Sequence, residues 1–183
     1  LADPASEFTA MILALGAEIE IAGPAGSRRV KADDFFIDLF ETALEPGELI
    51  TAIHVPLFRA DQRFAFDELA RRRGDYALVG CGLLATCAKS RIDDIRISFF
   101  SAGNVPTRVR GAEAALIGRG LDTASIAAAQ AALERMAVGV HEARESQPAR
   151  HAGDASRAGD RIDVVLRRGL GRRAALDPEC AHD

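Results

Sequence analysis

The sequence predicts an α+β fold built as two successive parts, and three stretches carry that prediction. Residues 17–31 alternate, turn and return as a β-hairpin behind a leading amphipathic helix. Residues 64–100 hold three more strand patterns in a row, with no helical period between them. From Arg110 onward the pattern changes to helices. Polar residues 57–63 (LFRADQR) read as a linker, which divides the chain into residues 1–60, residues 62–175 and a tail, 176–183.

The elements follow from local signals. Asp3 and Pro4 are an N-cap and a first helical residue, Phe8, Met11, Ile12 and Leu15 recur at helical spacing, and Gly16 stops the helix. A helix over 4–15 results. Residues 17–22 form a strand with Ile19 and Ile21 inward, and a turn at 23–27 returns the chain into residues 28–31. Asp33 and Asp34 cap a short helical piece, 35–40. Glu45-Pro46-Gly47 breaks the chain before a strand, 48–55, that ends at Pro56.

In the second part, Phe64, Phe66 and Leu69 are expected on one side of a strand. The charged turn Arg71-Arg72-Arg73-Gly74-Asp75 follows, then Tyr76, the only tyrosine. Residues 77–88 are too apolar for a strand with a wet face. After a turn at 89–93, residues 94–100 alternate with Ile95, Ile97 and Phe99 inward. A Gly/Pro loop, 103–108, leads to helices at 110–117 and 122–138. Residues 139–160 read as irregular, residues 162–170 as a final helix and 177–183 as a frayed end.

Composition narrows the function. Of 183 residues, 48% are hydrophobic and 27% charged, an ordinary globular balance. A formal charge of −4 gives no electrostatic case for nucleic acid or an anionic membrane. No stretch approaches the roughly 20 apolar residues of a membrane span, and no signal peptide is visible. Three cysteines, an odd and sparse set, fit a reduced, cytoplasmic setting. The chain starts at Leu1 directly before a helix-start signal, and is expected to be a piece of something longer.

Side-chain catalysis is not expected. His54, His141, His151 and His182 show no zinc-ligand spacing. Cys81 and Cys87 stand about 20 Å apart on one regular strand and read as core packing, while Cys180 lies at the frayed end. No nucleophile elbow, P-loop or dinucleotide fingerprint occurs. The catalytic and metal-ligand sets are therefore empty. The Arg71–Asp75 turn, set between two buried strands, is the sort of place where a scaffold holds a site, although exposed turns are commonly polar for no further reason.

Four segments in order carry a resemblance: ADPASEF (2–8), FFIDLFETALEPGELITAIHVP (35–56), ARRRGDYALVG (70–80), and NVPTR (104–108) leading into AEAAL (112–116). Together they resemble the FAD-binding medium subunit of the molybdenum hydroxylases, the group of carbon monoxide dehydrogenase and xanthine dehydrogenase. The resemblance implies the rear part of a two-subdomain FAD-binding (PCMH-type) domain, then a C-terminal three-stranded antiparallel sheet with a helical bundle. It implies a cytoplasmic flavoprotein that relays electrons from iron–sulfur clusters through FAD to an external acceptor. The partners implied are a small subunit with 2Fe-2S clusters and a large molybdopterin subunit, in a heterotrimer that can dimerise again.

The resemblance also places residues. Glu7 matches an acidic flavin-nucleotide contact, and Ile50 an aliphatic position beside the isoalloxazine. Glu68 falls close to a position that is Lys in xanthine and carbon monoxide dehydrogenases. Tyr76 matches a residue at the flavin face. The two glycine-rich turns that hold the FAD pyrophosphate in such subunits are expected upstream of Leu1, so residues 1–183 alone are expected to be colourless. A non-catalytic assembly module that docks to partner subunits without FAD is the alternative reading.

Overall fold

A computed structural model describes residues 2–72, 74–88 and 91–133. Helix α1 (Glu7–Ala14) leads into strand β1 (Glu18–Gly23), which pairs antiparallel with β2 (Gly26–Lys31) on one side and β5 (Leu49–His54) on the other. Between β2 and β5 lie one helical turn, α2 (Ala32–Phe35), and a small hairpin of β3 (Phe36–Asp38) and β4 (Glu41–Thr42). The second sheet has the order β6 (Gln62–Ala70), β7 (Ala77–Ala88), β8 (Arg91–Phe100) and β9 (Thr107–Arg108), all antiparallel, and is followed by α3 (Arg110–Leu116) and a helix over 123–133. The expected α+β class holds. The three long expected strands are present, with two-residue β9 added at the edge of β8.

Two cores result. Ile12, Leu13, Ile19, Ile21, Ala32 and Phe35 form one, between α1, β1 and α2. The other lies between one face of the second sheet and the following helices, where Ile95, Ile97 and Phe99 meet Val109, Leu116 and Leu133 as their alternation requires. Helix α1 is common to both sheets. Its Ile12 and Leu13 join the first core, while Met11 and Ala14 lie against β7. That double burden explains a helix with five of its eight residues buried, which no surface helix would show.

Several elements begin elsewhere than expected. Helix α1 starts at Glu7, with Ser6 in the cap position, because Asp3 closes a separate turn: its carboxylate accepts the Ala5 N–H at 2.9 Å and its carbonyl the Ser6 N–H at 3.0 Å. The C-terminus is as predicted. Gly16 sits at φ +67°, its N–H reaches the Leu13 carbonyl, and the Ala17 N–H reaches that of Ile12, the paired bonds of a Schellman motif. Of the expected helical piece 35–40 only Phe35 is helical, and residues 36–40 are not. The helical turn comes earlier, Phe35 drops into the core, and Phe36 onward pairs as the hairpin. Leu69 packs on the opposite sheet face from Phe64 and Phe66, since alternation separates odd from even positions. Residues Gln62 and Arg63 of the expected linker already belong to β6, and β8 starts at Arg91 rather than Asp94. The irregular stretch 139–160, the last helix, the tail, and residues 134–138 of the 122–138 helix lie outside the described residues.

An ion cluster joins the sheets. Asp33 at the head of α2 accepts hydrogen bonds from Arg96 of β8, from Arg108 of β9 at 2.9 Å and from Arg110 at the start of α3 at 2.9 Å. Arg96 also donates through Nε and Nη2 to the Leu13 carbonyl, at 3.2 and 2.8 Å. Arg108 grips Glu113 with two bonds of 2.9 and 2.7 Å, and Glu113 in turn accepts the backbone N–H of Ile97 at 2.8 Å. Burial pushes the Asp33 carboxyl up, but the bonds from Arg96 and Arg108 outweigh it and hold the group below the usual carboxylate range.

Candidate functional site

The face of the second sheet that looks toward α1 carries two glycines in β7. Register sets Glu68 opposite Gly80 and Gly80 opposite Phe100, and one pleat away Phe66, Gly82 and Ser98 in the same order. A Cβ on Gly80 would stand 1.9 Å from Cζ of Phe100, so the glycine is what lets that ring lie across the strand. A Cβ on Gly82 would come within 2.8 Å of Met11 Sδ, so this glycine lets α1 approach. Phe100 is fully buried, and Phe66, 40% exposed, stacks on it with ring centroids 5.8 Å apart and planes 11° apart.

The head of α1 is fixed above this face. The Ser101 N–H at the end of β8 donates to the Pro4 carbonyl at 2.8 Å, and the Thr9 hydroxyl donates to the Ser6 carbonyl at 2.7 Å. Glu7, in the first turn, is exposed and favoured there by the helix dipole. It meets Glu68 of β6. Burial, followed by the like charge of Glu7 and a carboxyl–carboxyl contact with it, pushes the Glu68 carboxyl up. Asp67 on the same strand adds to the repulsion. Oε2 of Glu68 is buried with no hydrogen-bond partner, an acceptor placed where a ligand N–H or O–H would be welcome.

A raised carboxyl has a definite pH signature. The Glu68 contribution to stability is fully present below its unfolded pKa and is lost as pH rises through the higher folded value. Glu68→Gln is therefore expected to raise the urea midpoint at neutral pH and to leave it unchanged in acid. Urea melts across the carboxylate range check this, and a variant less stable at neutral pH would refute it.

The other two expected cofactor residues are placed apart. Tyr76 follows the Arg71–Asp75 turn and is 74% exposed, its N–H bonded to the Asp75 carboxylate at 3.1 Å. Arg71 and Arg72 reach that carboxylate only at 3.8 and 4.0 Å, with their own side chains largely in solvent. Arg73 lies outside the described residues. Ile50 stands on β5 of the first sheet, opposite Ile21 and 40% exposed. The structure thus brings Glu7 and Glu68 together and leaves Ile50 and Tyr76 as open apolar surface. Sequence reasoning missed Phe66 and Phe100 as part of the site. The signal was the pair of glycines two residues apart in an otherwise closed strand.

Other chemistry recedes. Cys81 is buried in the core and desolvation pushes its thiol up to about 12, so it is a packing group. His54 Nε2 lies 2.9 Å from the Glu20 carboxylate on the surface of the first sheet. No group of three or more potential metal ligands occurs among the described residues, and none of their helices is long and apolar enough to cross a membrane. The turn Gly23-Pro24-Ala25-Gly26 is a closed hairpin: a Cβ on Gly23 would meet the Glu48 side chain at 2.7 Å, and Pro24 has no N–H to offer. An acidic side chain pressed against a turn that lacks one amide makes it a poor pyrophosphate cradle.

Comparison with known proteins gives the chain's relatives. Residues 1–58 match the family described as the FAD binding domain in molybdopterin dehydrogenase, and residues 64–148 the CO dehydrogenase flavoprotein C-terminal domain. The carbon monoxide dehydrogenase medium chain of Afipia carboxidovorans is 31% identical over 173 residues, 94% of this chain and 57% of the relative. The caffeine dehydrogenase subunit beta of a Pseudomonas species is 37% identical over 119 residues, 64% of this chain and 40% of that one. Among solved structures, carbon monoxide dehydrogenase from Hydrogenophaga pseudoflava superposes with a TM-score of 0.83 at 30% identity, covering 95% of this chain and 58% of that chain. The chain thus spans between 40% and 58% of the length of these relatives. Two family domains in the same order, on the same fold, make it a member of the flavoprotein medium-subunit family of the molybdenum hydroxylases, of which it covers a part.

Proposed function

We propose that this chain supplies one wall of an FAD site in the medium subunit of a molybdenum-containing oxidoreductase, and that the subunit relays electrons from iron–sulfur clusters through FAD to an external acceptor. The observation that carries the reading is the junction of α1 with β6, where Glu7 and the unpaired Oε2 of Glu68 lie beside exposed aromatic surface. Family membership supplies the cofactor; the geometry supports which end of it belongs here. Two carboxylates repel a pyrophosphate but accept hydrogen bonds from ribityl hydroxyls or a ring N–H. The residues therefore fit the ring and ribityl half of FAD.

FAD, when bound, supplies the reversible electron chemistry, and the protein supplies position and electrostatics. Glu7 and Glu68 orient the ring by accepting its donors, while Tyr76 and Ile50 shield it from water. Arg71 and Arg72 give a basic rim for an anionic acceptor or a partner subunit. Residues 1–60 act as the rear of the FAD-binding domain and 62–175 as the C-terminal domain. In this reading the chain works in the cytoplasm, with an iron–sulfur small subunit and a molybdopterin large subunit, in a heterotrimer that can dimerise. Relatives with comparable identity are named for carbon monoxide, glyceraldehyde and caffeine dehydrogenases, which is why substrate choice is assigned to the molybdopterin subunit.

The test is Tyr76→Ala in the assembled, flavin-loaded enzyme. FAD is expected to stay bound, with affinity down by about tenfold at most, since ring stacking is worth roughly 0.5–1.5 kcal/mol. Flavin fluorescence and the rate of reoxidation are expected to change. An unaltered spectrum with unaltered reoxidation would place Tyr76 away from the flavin. Co-purification with iron–sulfur and molybdenum subunits but without FAD would favour the alternative, an assembly module, and failure to co-purify at all would count against both readings.

A further inference from the structure

Asp33 lies far from Glu7 in sequence and contributes nothing to the site directly, yet the two are connected through a helix. Helix α1 has eight residues, about 12 Å of rise. Its first residue is Glu7. Its last turn ends at the Leu13 carbonyl, which accepts the Gly16 N–H and has a second lone pair free for another donor. That carbonyl is taken by Arg96, which reaches it with both Nε and Nη2 while Nη2 also serves Asp33. Arg96 stands on β8, the neighbour of the strand that pairs with β6, so it ties the foot of α1 to the sheet that carries Glu68. Gly16 is called for by its backbone at φ +67°, and a Cβ there would only touch the Arg96 side chain, 3.4 Å from Nε.

The fork of Arg96 would not hold this geometry alone. Its side chain is 20% exposed, and a flexible guanidinium with one carbonyl partner has other rotamers in reach. Asp33 removes them. One carboxylate oxygen engages Arg96, and the other is itself fixed by Arg108 and Arg110. Arg108 is anchored by the bidentate pair with Glu113, and Glu113 by the Ile97 N–H. The chain of contacts runs from β8 through α3 and β9 to α2 and back to the foot of α1 without a gap. A charge-assisted, planar fork is what such a hub needs, because it fixes direction as well as distance.

We propose that Asp33 is a positioning residue: by gathering Arg96, Arg108 and Arg110 it locks Arg96 onto the foot of α1, and so sets Glu7 at the head of that helix against Glu68 on β6. The proposal deepens the flavin-site reading, on which its functional meaning rests, but its test needs no flavin. The groups that face Glu68 are Glu7 from α1 and Asp67 on its own strand, with uncharged Gly80 opposite on β7. The protonation midpoint of Glu68 therefore reports how close Glu7 is held.

The experiment is a carbon-detected carboxyl NMR titration of Glu68 in the full chain. Glu7→Gln is expected to lower the midpoint, by removing the like charge. Asp33→Asn is expected to lower it as well, although Asp33 never touches Glu68. Arg96→Lys, which keeps the charge but cannot fork between Leu13 and Asp33, is expected to shift it in the same direction and decides the matter if Asp33→Asn does not fold. A midpoint unmoved by both hub variants, while Glu7→Gln moves it, would overturn the proposal and leave the cluster with a role in stability alone. A midpoint unmoved even by Glu7→Gln would overturn the contact between the carboxyls, and the site reading with it.

Discussion

Glu113→Ala is expected to cost about 3–5 kcal/mol of unfolding free energy, the range for breaking one side of a buried ion pair. The glutamate is 4% exposed, and it satisfies both arms of Arg108 and the Ile97 N–H together. Its removal leaves Arg108, nearly buried, with Asp33 as its remaining carboxylate, and unpairs Nε and Nη2 of that guanidinium and a backbone donor on a core strand, each with a desolvation penalty. Glu113→Gln, which keeps an acceptor for Ile97, is expected to cost clearly less. Urea denaturation of the three proteins measures the order. Arg29→Ala, whose side chain is half exposed and pairs with Glu18 and Glu20 at the surface, should stay within about 0.5 kcal/mol. Equal losses for Glu113→Ala and Arg29→Ala would mean that the cluster is no tighter than a surface pair.

Gly80→Ala is expected to be the second severe change, at about 1–3 kcal/mol or more. The added methyl would sit inside the Phe100 ring, and Phe100 is fully buried with Phe66 stacked on its face. The ring cannot tilt without breaking that stack, so the cost falls on aromatic packing and should appear in near-ultraviolet circular dichroism as well as in the urea midpoint. Gly82→Ala makes the useful contrast. Its methyl would crowd the thioether end of Met11 and touch Ala14 Cβ at an ordinary 3.9 Å; the thioether is flexible enough to move, so a smaller loss is expected. If Gly82→Ala proves worse than Gly80→Ala, the account of how α1 and Phe100 share this face is wrong.

Much of the fold was legible because its signals are local. The Ile19/Ile21 and Ile95/Ile97/Phe99 alternations, the uninterrupted apolar run 77–88, and Gly16 as a helix stop each encode one element without help from elsewhere. The failures are of another kind. Phe35–Phe40 reads as a helical piece, yet Phe35 is drawn into a core made by α1 and β1, a demand that arises only in three dimensions. Asp3 has the right identity for a helix cap but spends its carboxylate on Ala5. Strand β9 has two residues inside a Gly/Pro loop and exists because β8 offers an edge.

The site was legible in a different sense. Glu7 and Glu68 came from resemblance, and neither has a local feature to single it out; a first-turn glutamate and an alternating strand residue are both ordinary. What joins them is the tertiary path of α1, which is set by Gly82 in β7 and by Arg96, 89 positions beyond Glu7. No periodicity could have indicated that Asp33, in a run of two aspartates, gathers three arginines from 63 to 77 residues away. Ion pairs of this separation carry no pattern in the chain.

The central claim, that the junction of α1 and β6 faces the flavin, is open to one direct measurement: titration of the isotopically labelled chain with FAD, followed by amide NMR shifts. The account predicts that shifts concentrate at Glu7, Phe66, Glu68 and Tyr76 with Ile50 as the contribution from the first sheet. It also predicts that riboflavin, which has no pyrophosphate, reproduces them. Shifts confined to the Gly23–Gly26 turn, or none at millimolar flavin, would contradict it.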